Sequence, residues 1–263
     1  MHQTALVPIE RLLEEKFGQV LCYPKYDQAE SRNRIQELSK LGVRAFRFVG
    51  EKSVFNVSVL GKGCVGIVVL AYAKNEKIAL KIRRVDADRN EMRHEAEMLR
   101  IANMANVGPK LLGASENFLL MEFVKGHLIF EWISTLKGRG TKSNIQRVLQ
   151  DILEQCWRLD KIGLDHGELS KAPKHVIVDE ESKPHLVDFE TASINRKVSN
   201  VTSICQYLFL GSQVAKVIAR KLGYVDKDEL IESLKNYKRQ CNRQNFETIL
   251  EKCKLCDAKK RRL

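Results

Sequence analysis

No apolar run in this sequence approaches the roughly 20 residues that a membrane-spanning helix requires, so no membrane partner is expected. The opening stretch, MHQTALVPIERLLEEKF, lacks the long apolar core of an export signal and carries acidic residues early. A cytoplasmic location is the expectation. A disulfide framework is missing too: seven cysteines, an odd number, are scattered through a chain with no sign of secretion, which argues for reduced thiols. Only Cys253-Lys-Leu-Cys256 has the spacing of metal ligands, and with Cys241 as its one cysteine neighbour a zinc site is left short of a fourth ligand. What is present is ordinary bulk and positive charge. The 263 residues, 44% hydrophobic and 30% charged, have room for one large domain or two small lobes. A formal charge of +12 suits an anionic partner such as nucleic acid, although solubility alone accounts for part of such an excess.

The first fifty residues read as two helices and a strand. A helix after Pro8 places Ile9, Leu12, Leu13 and Phe17 on one face, and Asp27-Gln-Ala-Glu30 has the spacing of a capping box for a second helix that ends near Gly42. Val43 to Val49 follows as a strand at the edge of the next sheet. Arg32, Arg34, Arg44 and Arg47 make this segment either a docking element or a packed lid with a solvated basic face. The second reading is preferred, because charge runs are commonly exposed faces.

Val54 to Leu60 reads as a strand, Gly61-Lys-Gly63-Cys-Val-Gly66 as a tight loop, and Ile67 to Ala73 as another strand. A dinucleotide fingerprint sets its glycines between a strand and a helix; here β-branched residues follow, so the loop belongs to a hairpin that covers phosphates through its backbone N–H groups. One strand later stands Ile78-Ala79-Leu80-Lys81, the pattern that brings a lysine to the α- and β-phosphates. A helix from about Asp88 to Ala105 carries Glu91 and Glu95. Glu95 is the expected partner of Lys81, since it lies beside the apolar stripe while Glu91 sits near the helix start. Charged surface pairing is the alternative.

After Val107-Gly108-Pro109, two short strands, Lys110 to Ala114 and Phe118 to Val124, run into Met121-Glu122-Phe123-Val124-Lys125-Gly126, a hinge whose backbone would meet an adenine edge; Met121 as plain core is the competing reading. A long helix opens with Thr141-Lys-Ser143-Asn-Ile-Gln146 as its cap and buries Ile145, Val148, Leu149, Ile152, Leu153 and Trp157. It delivers the chain to GLDHGELSKAPKHVIVDEESKPHLVDFE, residues 163–190. There a hairpin of Val176 to Val178 and Leu186 to Val187 returns its ends to one place, so Glu168 before it and Asp188 after it should share a substrate and a metal. Phosphoryl transfer uses that pairing: one carboxylate orients the attacking hydroxyl and the other holds Mg²⁺. Asn200 reads as the cap of a buried helix, and from Lys216 the chain is helical and basic to Lys259-Lys-Arg-Arg262.

In this order, Gly61/Gly63/Gly66, Lys81, Glu95, the hinge, His166-Gly-Glu-Leu-Ser170 and Asp188-Phe189 resemble the protein-kinase-like fold, in particular the small atypical archaeal type similar to RIO kinases and to the kinase subunit of the KEOPS tRNA-modification complex. The resemblance covers roughly residues 54–210. It implies an α+β, two-lobe fold with an N-terminal helical extension (1–50), a small antiparallel-sheet lobe (51–125) and a helical lobe (126–263). It also implies ATP and Mg²⁺ as cofactors in a cleft between lobes. Nucleotide contact falls to Gly61, Lys62, Gly63, Cys64, Gly66, Val68, Ala79, Lys81, Met121, Glu122 and Val124, and catalysis to Lys81, Glu95, Glu168 and Asp188. The acceptor would be a protein substrate or the chain itself, with an RNA or ribosomal partner for the basic tail.

Three departures fall at the chemistry. Glu168 stands where the family has aspartate, two residues are inserted after Ser170, and His175 takes the place of the metal-binding asparagine. Asp188 remains a metal ligand. His175 is a poor one for Mg²⁺, and Glu190, in place of the glycine after Asp-Phe, either supplies an oxygen or is merely solvated. No Ala-Pro-Glu follows, so a peptide platform is missing. An ATP-binding pseudokinase and a small-molecule phosphotransferase remain as alternatives. Deleting residues 258–263 is expected to weaken RNA binding and flatten its salt dependence, because counterion release scales with phosphate contacts. A salt series of binding titrations checks this, and unaltered binding would remove the tail as the contact surface.

Overall fold

Two-residue turns organise the first part of the chain. The computed structural model describes residues 6–255, with the side chains of 89–91 outside the description. Cys256, Glu91 as a side chain, and the basic tail therefore lie outside the described residues. The chain divides into two compact units, Met1–Arg100 with Pro109–Val124, and Ile101–Gly108 with Lys125–Leu263.

In the first unit, β1 (Val7–Pro8), α1 (Glu15–Leu21), α2 (Gln28–Lys40), β2 (Val43–Arg47), β3 (Lys52–Val54), β4 (Val57–Val59), β5 (Gly61–Lys62), β6 (Gly66–Ala73), β7 (Glu76–Arg83), α3 (Arg89–Met104, whose end from Ile101 belongs to the second unit), β8 (Leu111–Ala114) and β9 (Phe118–Glu122) follow in order. The sheet runs β1-β2-β6-β7-β9-β8, antiparallel throughout, with β5 pairing β6. Lys74 and Asn75 both take positive φ, 49° and 68°, the geometry that turns β6 into β7 without splaying the strands. Phe55 and Asn56 do the same at 45° and 65°. The expected single strand from Val54 to Leu60 is consequently a hairpin of β3 and β4. Apolar Phe55 disguised the turn.

The helix expected after Pro8 is also divided. Ile9–Leu13 is a 3-10 helix, and Glu14 breaks it at ψ 127° before α1 begins. Three residues per turn align Ile9 with Leu12, both buried, and turn Leu13 outward. The second helix starts as expected, with Asp27 Oδ1 accepting the Glu30 N–H at 2.7 Å. Leu12, Val20, Leu21, Leu38, Val43 and Phe46 then share one core with Ile67, Val69, Ala71, Ile78, Leu80, Ile82, Phe118 and Leu120 of the sheet. Those sheet residues alternate along their strands, so they occupy a single face.

Arg34 requires a correction. It belongs to no solvated basic face but is 0% exposed, and its guanidinium donates to Leu21 O, Arg83 O, Glu30 Oε1 and Asn117 Oδ1. Arg32 and Arg44 do remain exposed.

The second unit contains β10 (Gly126–Leu128), α4 (Ile129–Thr135), α5 (Thr141–Lys161), β11 (Val176–Asp179), β12 (Pro184–Leu186), α6 (Asn200–Cys205), α7 (Gln213–Leu222), α8 (Lys227–Arg239) and α9 (Arg243–Lys252). Strands β10, β11 and β12 form an antiparallel sheet. β10 is three residues long and had no pattern to betray it. Its Gly126 is required, because an added Cβ would lie 2.2 Å from Val178 O.

α5 is not capped by Thr141. Gly140, left-handed at φ 83°, precedes it, and the buried stripe from Ile145 to Leu159 carries the packing. Nor does Asn200 cap α6; Ser199 holds that position and the Asn200 side chain turns inward. The α+β architecture, with its larger antiparallel sheet in one unit and most helices in the other, is that of the expected kinase-like fold.

Arg34→Ala is expected to destabilise the protein by about 3 kcal/mol, since it strands several buried acceptors at once, whereas Arg32→Ala should stay within about 0.5 kcal/mol. Denaturant midpoints of the two variants measure the difference.

Candidate active site

Cross-strand register puts four of the expected nucleotide residues on one sheet face. Val68 on β6 pairs with Lys81 on β7, and Ala79 on β7 pairs with Met121 on β9, all opposite in parity to the core residues of the same strands. Lys81 and Glu95 are buried, and Lys81 Nζ lies 2.7 Å from Glu95 Oε2, joining β7 to α3. Gly66 opens β6 directly over the lysine stem. A Cβ there would come within 2.9 Å of Lys81 Cγ and 3.0 Å of Ile82 O. The loop before it is closed by Gly63 N–H donating to Gly66 O at 2.8 Å, and Arg84 Nη1 donates to Gly63 O at 3.3 Å.

Gly61 and Lys62 form β5, with Lys62 Nζ 4.5 Å from the Tyr23 ring centroid; Cys64 is exposed. Met121 and Val124 are half-buried, while Glu122 accepts the Lys110 N–H at 3.2 Å.

In the second unit the hairpin assembles the acidic residues. His175 sits just before β11, and its carbonyl accepts the Val187 N–H at 3.0 Å, so Asp188 follows immediately beside it. Asp188 has φ 70°, a left-handed backbone for a residue with a side chain. Glu168 precedes a 3-10 turn, Leu169–Lys171, anchored by buried Leu169 and Ala172. The imidazole of His175, 1% exposed, donates from Nε2 to Glu168 Oε2 at 2.9 Å, and its Nδ1 stands 3.9 Å from Asp188 Oδ2. Donor atoms of Glu168, His175 and Asp188 all lie within 4.8 Å of one another. Glu190 is half-buried.

The loop carrying these groups is held from beneath. His166 is fully buried, its N–H donates to Asn200 Oδ1 at 2.8 Å, and its Nε2–H donates to Val187 O at 3.1 Å. Burial and the neighbouring His175 lower its pKa to about 4, against the pull of Val187 O, so it stays neutral. Asn200 Nδ2 donates to Asp160 Oδ1 at 2.8 Å and to Leu164 O at 2.7 Å. Asp160 also accepts from the N–H groups of Asn200 and Val201 and from Tyr237 OH at 2.9 Å. Burial pushes the Asp160 carboxyl up from its ordinary value, with these donors acting in the opposite direction.

On the solvent side, Asp165 accepts from Ser199 and Arg196, and Arg196 Nη2 donates to Thr191 O at 2.6 Å. Gly167 fits between them at φ 91°; a Cβ would lie 2.6 Å from Arg196 Nη2 and 2.9 Å from Thr191 O.

Sequence reasoning named Glu168, His175 and Asp188, and the structure brings these three together. Sequence reasoning missed Asp160, Asp165, Arg196 and the inward role of Asn200. Apart from Thr191, close to Arg196 in sequence, their partners are 31 to 77 residues away along the chain, so no local spacing signals them.

With this geometry in place, residues 69–200, half of the chain, match the RIO domain family. The chain is also similar to the uncharacterized protein MJ1211 of Methanocaldococcus jannaschii, 28% identical over 121 residues, which are 45% of this chain and 99% of that protein.

Gly163→Ala, at φ 76° with open space around it, is expected to cost only about 1–2 kcal/mol of backbone strain. Gly167→Ala adds a collision with Thr191 backbone and should cost clearly more. Thermal unfolding of the pair, with similar losses counting against the packed-loop geometry, checks this.

Proposed function

The chain belongs to the RIO domain family, an atypical kinase/ATPase family, and on that premise we propose that it is an ATP- and divalent-metal-dependent serine/threonine kinase or ATPase. The observation that carries this reading is the buried Lys81–Glu95 pair beneath Gly66. Burying two opposite charges contributes little to stability by itself, but it fixes a lysine where a phosphate chain needs one.

The residues fit a bound nucleotide. Gly66 lets its strand lie directly against the Lys81 stem, where a Cβ would come within 2.9 Å of Lys81 Cγ, and the register places Val68, Ala79 and Met121 on the lysine's face. ATP supplies the transferable phosphoryl group, and a divalent ion neutralises charge as it leaves. Lys81 would hold the phosphates, and Asp188, an oxygen donor, would hold the ion. Glu168, its side chain 41% exposed, would accept the proton of the attacking hydroxyl. A protein or the chain itself is the proposed acceptor, and RNA the proposed ligand of the basic tail. No helix among the described residues is long and apolar enough to cross a membrane.

One observation favours a second reading. Glu168 Oε2 is engaged by His175, an arrangement that also suits a pseudokinase binding ATP without turnover.

Labelled ATP separates them. Asp188→Ala should eliminate metal-dependent release or transfer of the γ-phosphate, Lys81→Met should weaken ATP binding with the fold retained by thermal unfolding, and Glu168→Gln should lower the rate by about 10²–10⁴. A rate indifferent to Glu168→Gln, with ATP still bound, supports the pseudokinase.

A further inference from the structure

His175 is held in an unusual way for a buried residue. Its Nε2 is committed to Glu168, and Nδ1 faces the Asp188 carboxylate at 3.9 Å. Nδ1 is out of contact with solvent and has no hydrogen-bond partner. At 3.9 Å the two atoms are too far apart for a direct hydrogen bond. A metal ion held between them would give the buried Nδ1 the partner it lacks. With bonds of about 2 Å to nitrogen and oxygen, a 3.9 Å span is bridged by a transition-metal ion lying close to the line between the two atoms. A carboxylate on the far nitrogen is the arrangement that fixes the tautomer of a metal-bound histidine and raises its basicity.

We propose that His175 Nδ1 and Asp188 form a nitrogen–oxygen site for a first-row transition dication, with Glu168 as the positioning carboxylate, and that this site prefers such an ion to Mg²⁺. The inference rests on the phosphoryl-transfer reading above, whose divalent ion it identifies. Mg²⁺ takes oxygen ligands and gives up its water reluctantly, so an imidazole handicaps it. Mn²⁺ and its heavier neighbours accept carboxylate and imidazole together. The departure from asparagine at this position then changes the metal rather than discarding it.

The test uses the full chain with Mn²⁺, first alone and then with a non-hydrolysable ATP analogue. Electron spin-echo modulation should show a directly bound ¹⁴N on the Mn²⁺ in the unmodified protein and lose it in His175→Asn. Displacing Mn²⁺ should take about 10–100-fold more Mg²⁺ in the unmodified protein than in His175→Asn. The nitrogen signal is read on the unmodified chain, so a variant that fails to fold leaves the test standing.

Bound Mn²⁺ without ¹⁴N coupling, no Mn²⁺ binding, or equal displacement by Mg²⁺ in the two proteins would overturn the proposal. The last two outcomes would do so even where nucleotide binds normally with Mg²⁺, which leaves the kinase reading intact. Nitrogen-bound Mn²⁺ in a protein that fails to bind the analogue with either metal would support the site while sinking that reading.

Discussion

The second unit is organised around one buried carboxylate. Asp160, at the end of α5, takes two donors from Asn200, one from Val201 and one from Tyr237, and so joins α5 to α6 and α8. A charge removed from water is tolerated only when it is satisfied in this way. Asn200 passes the constraint on, because the same side chain takes the His166 N–H and donates to Leu164 O. His166 in turn reaches Val187, next to Asp188. The position of the acidic loop thus follows from a chain of hydrogen bonds that starts at Asp160 and contains no catalytic group.

The first unit solves a different problem, which is to present a lysine on a sheet without leaving it mobile. Strand alternation sends Ile67, Val69, Ile78, Leu80 and Ile82 into a core completed by Leu12, Val20, Leu38 and Phe46. The opposite parity carries Val68, Ala79, Lys81 and Met121. Glu95 then fixes the lysine from α3. The first fifty residues therefore matter to the site through the rigidity of the sheet behind it, and Arg34, which holds Leu21 and Arg83 carbonyls together, is the charged centre of that packing.

Within the second unit, Glu168 and His175 are the two residues that depart from the kinase pattern the sequence resembles. Glu168 and His175 are hydrogen-bonded to each other, which a residue-by-residue comparison with aspartate and asparagine does not reveal. The longer acid and the ring occupy their places as a pair, and the 3-10 turn after Glu168 supplies the spacing between them.

By itself the sequence determined much of what depends on near neighbours. The glycine loop, the lysine strand, the helix with Glu95 and the hairpin between Glu168 and Asp188 were legible because turn residues and apolar alternation act over a few residues. Where local signals were weak the reading slipped: Phe55-Asn56 hid a turn, a 3-10 helix displaced Leu13, and three-residue β10 left no pattern. Only the tertiary structure decided which polar residues were buried, since burial is a property of what packs around a residue. It turned Arg34 from a surface charge into a core one and Asn200 from a cap into a bridge. It also set Nδ1 of His175 against Asp188, because the distance between two side chains thirteen residues apart is fixed by the pairing of the hairpin between them and not by the residues themselves.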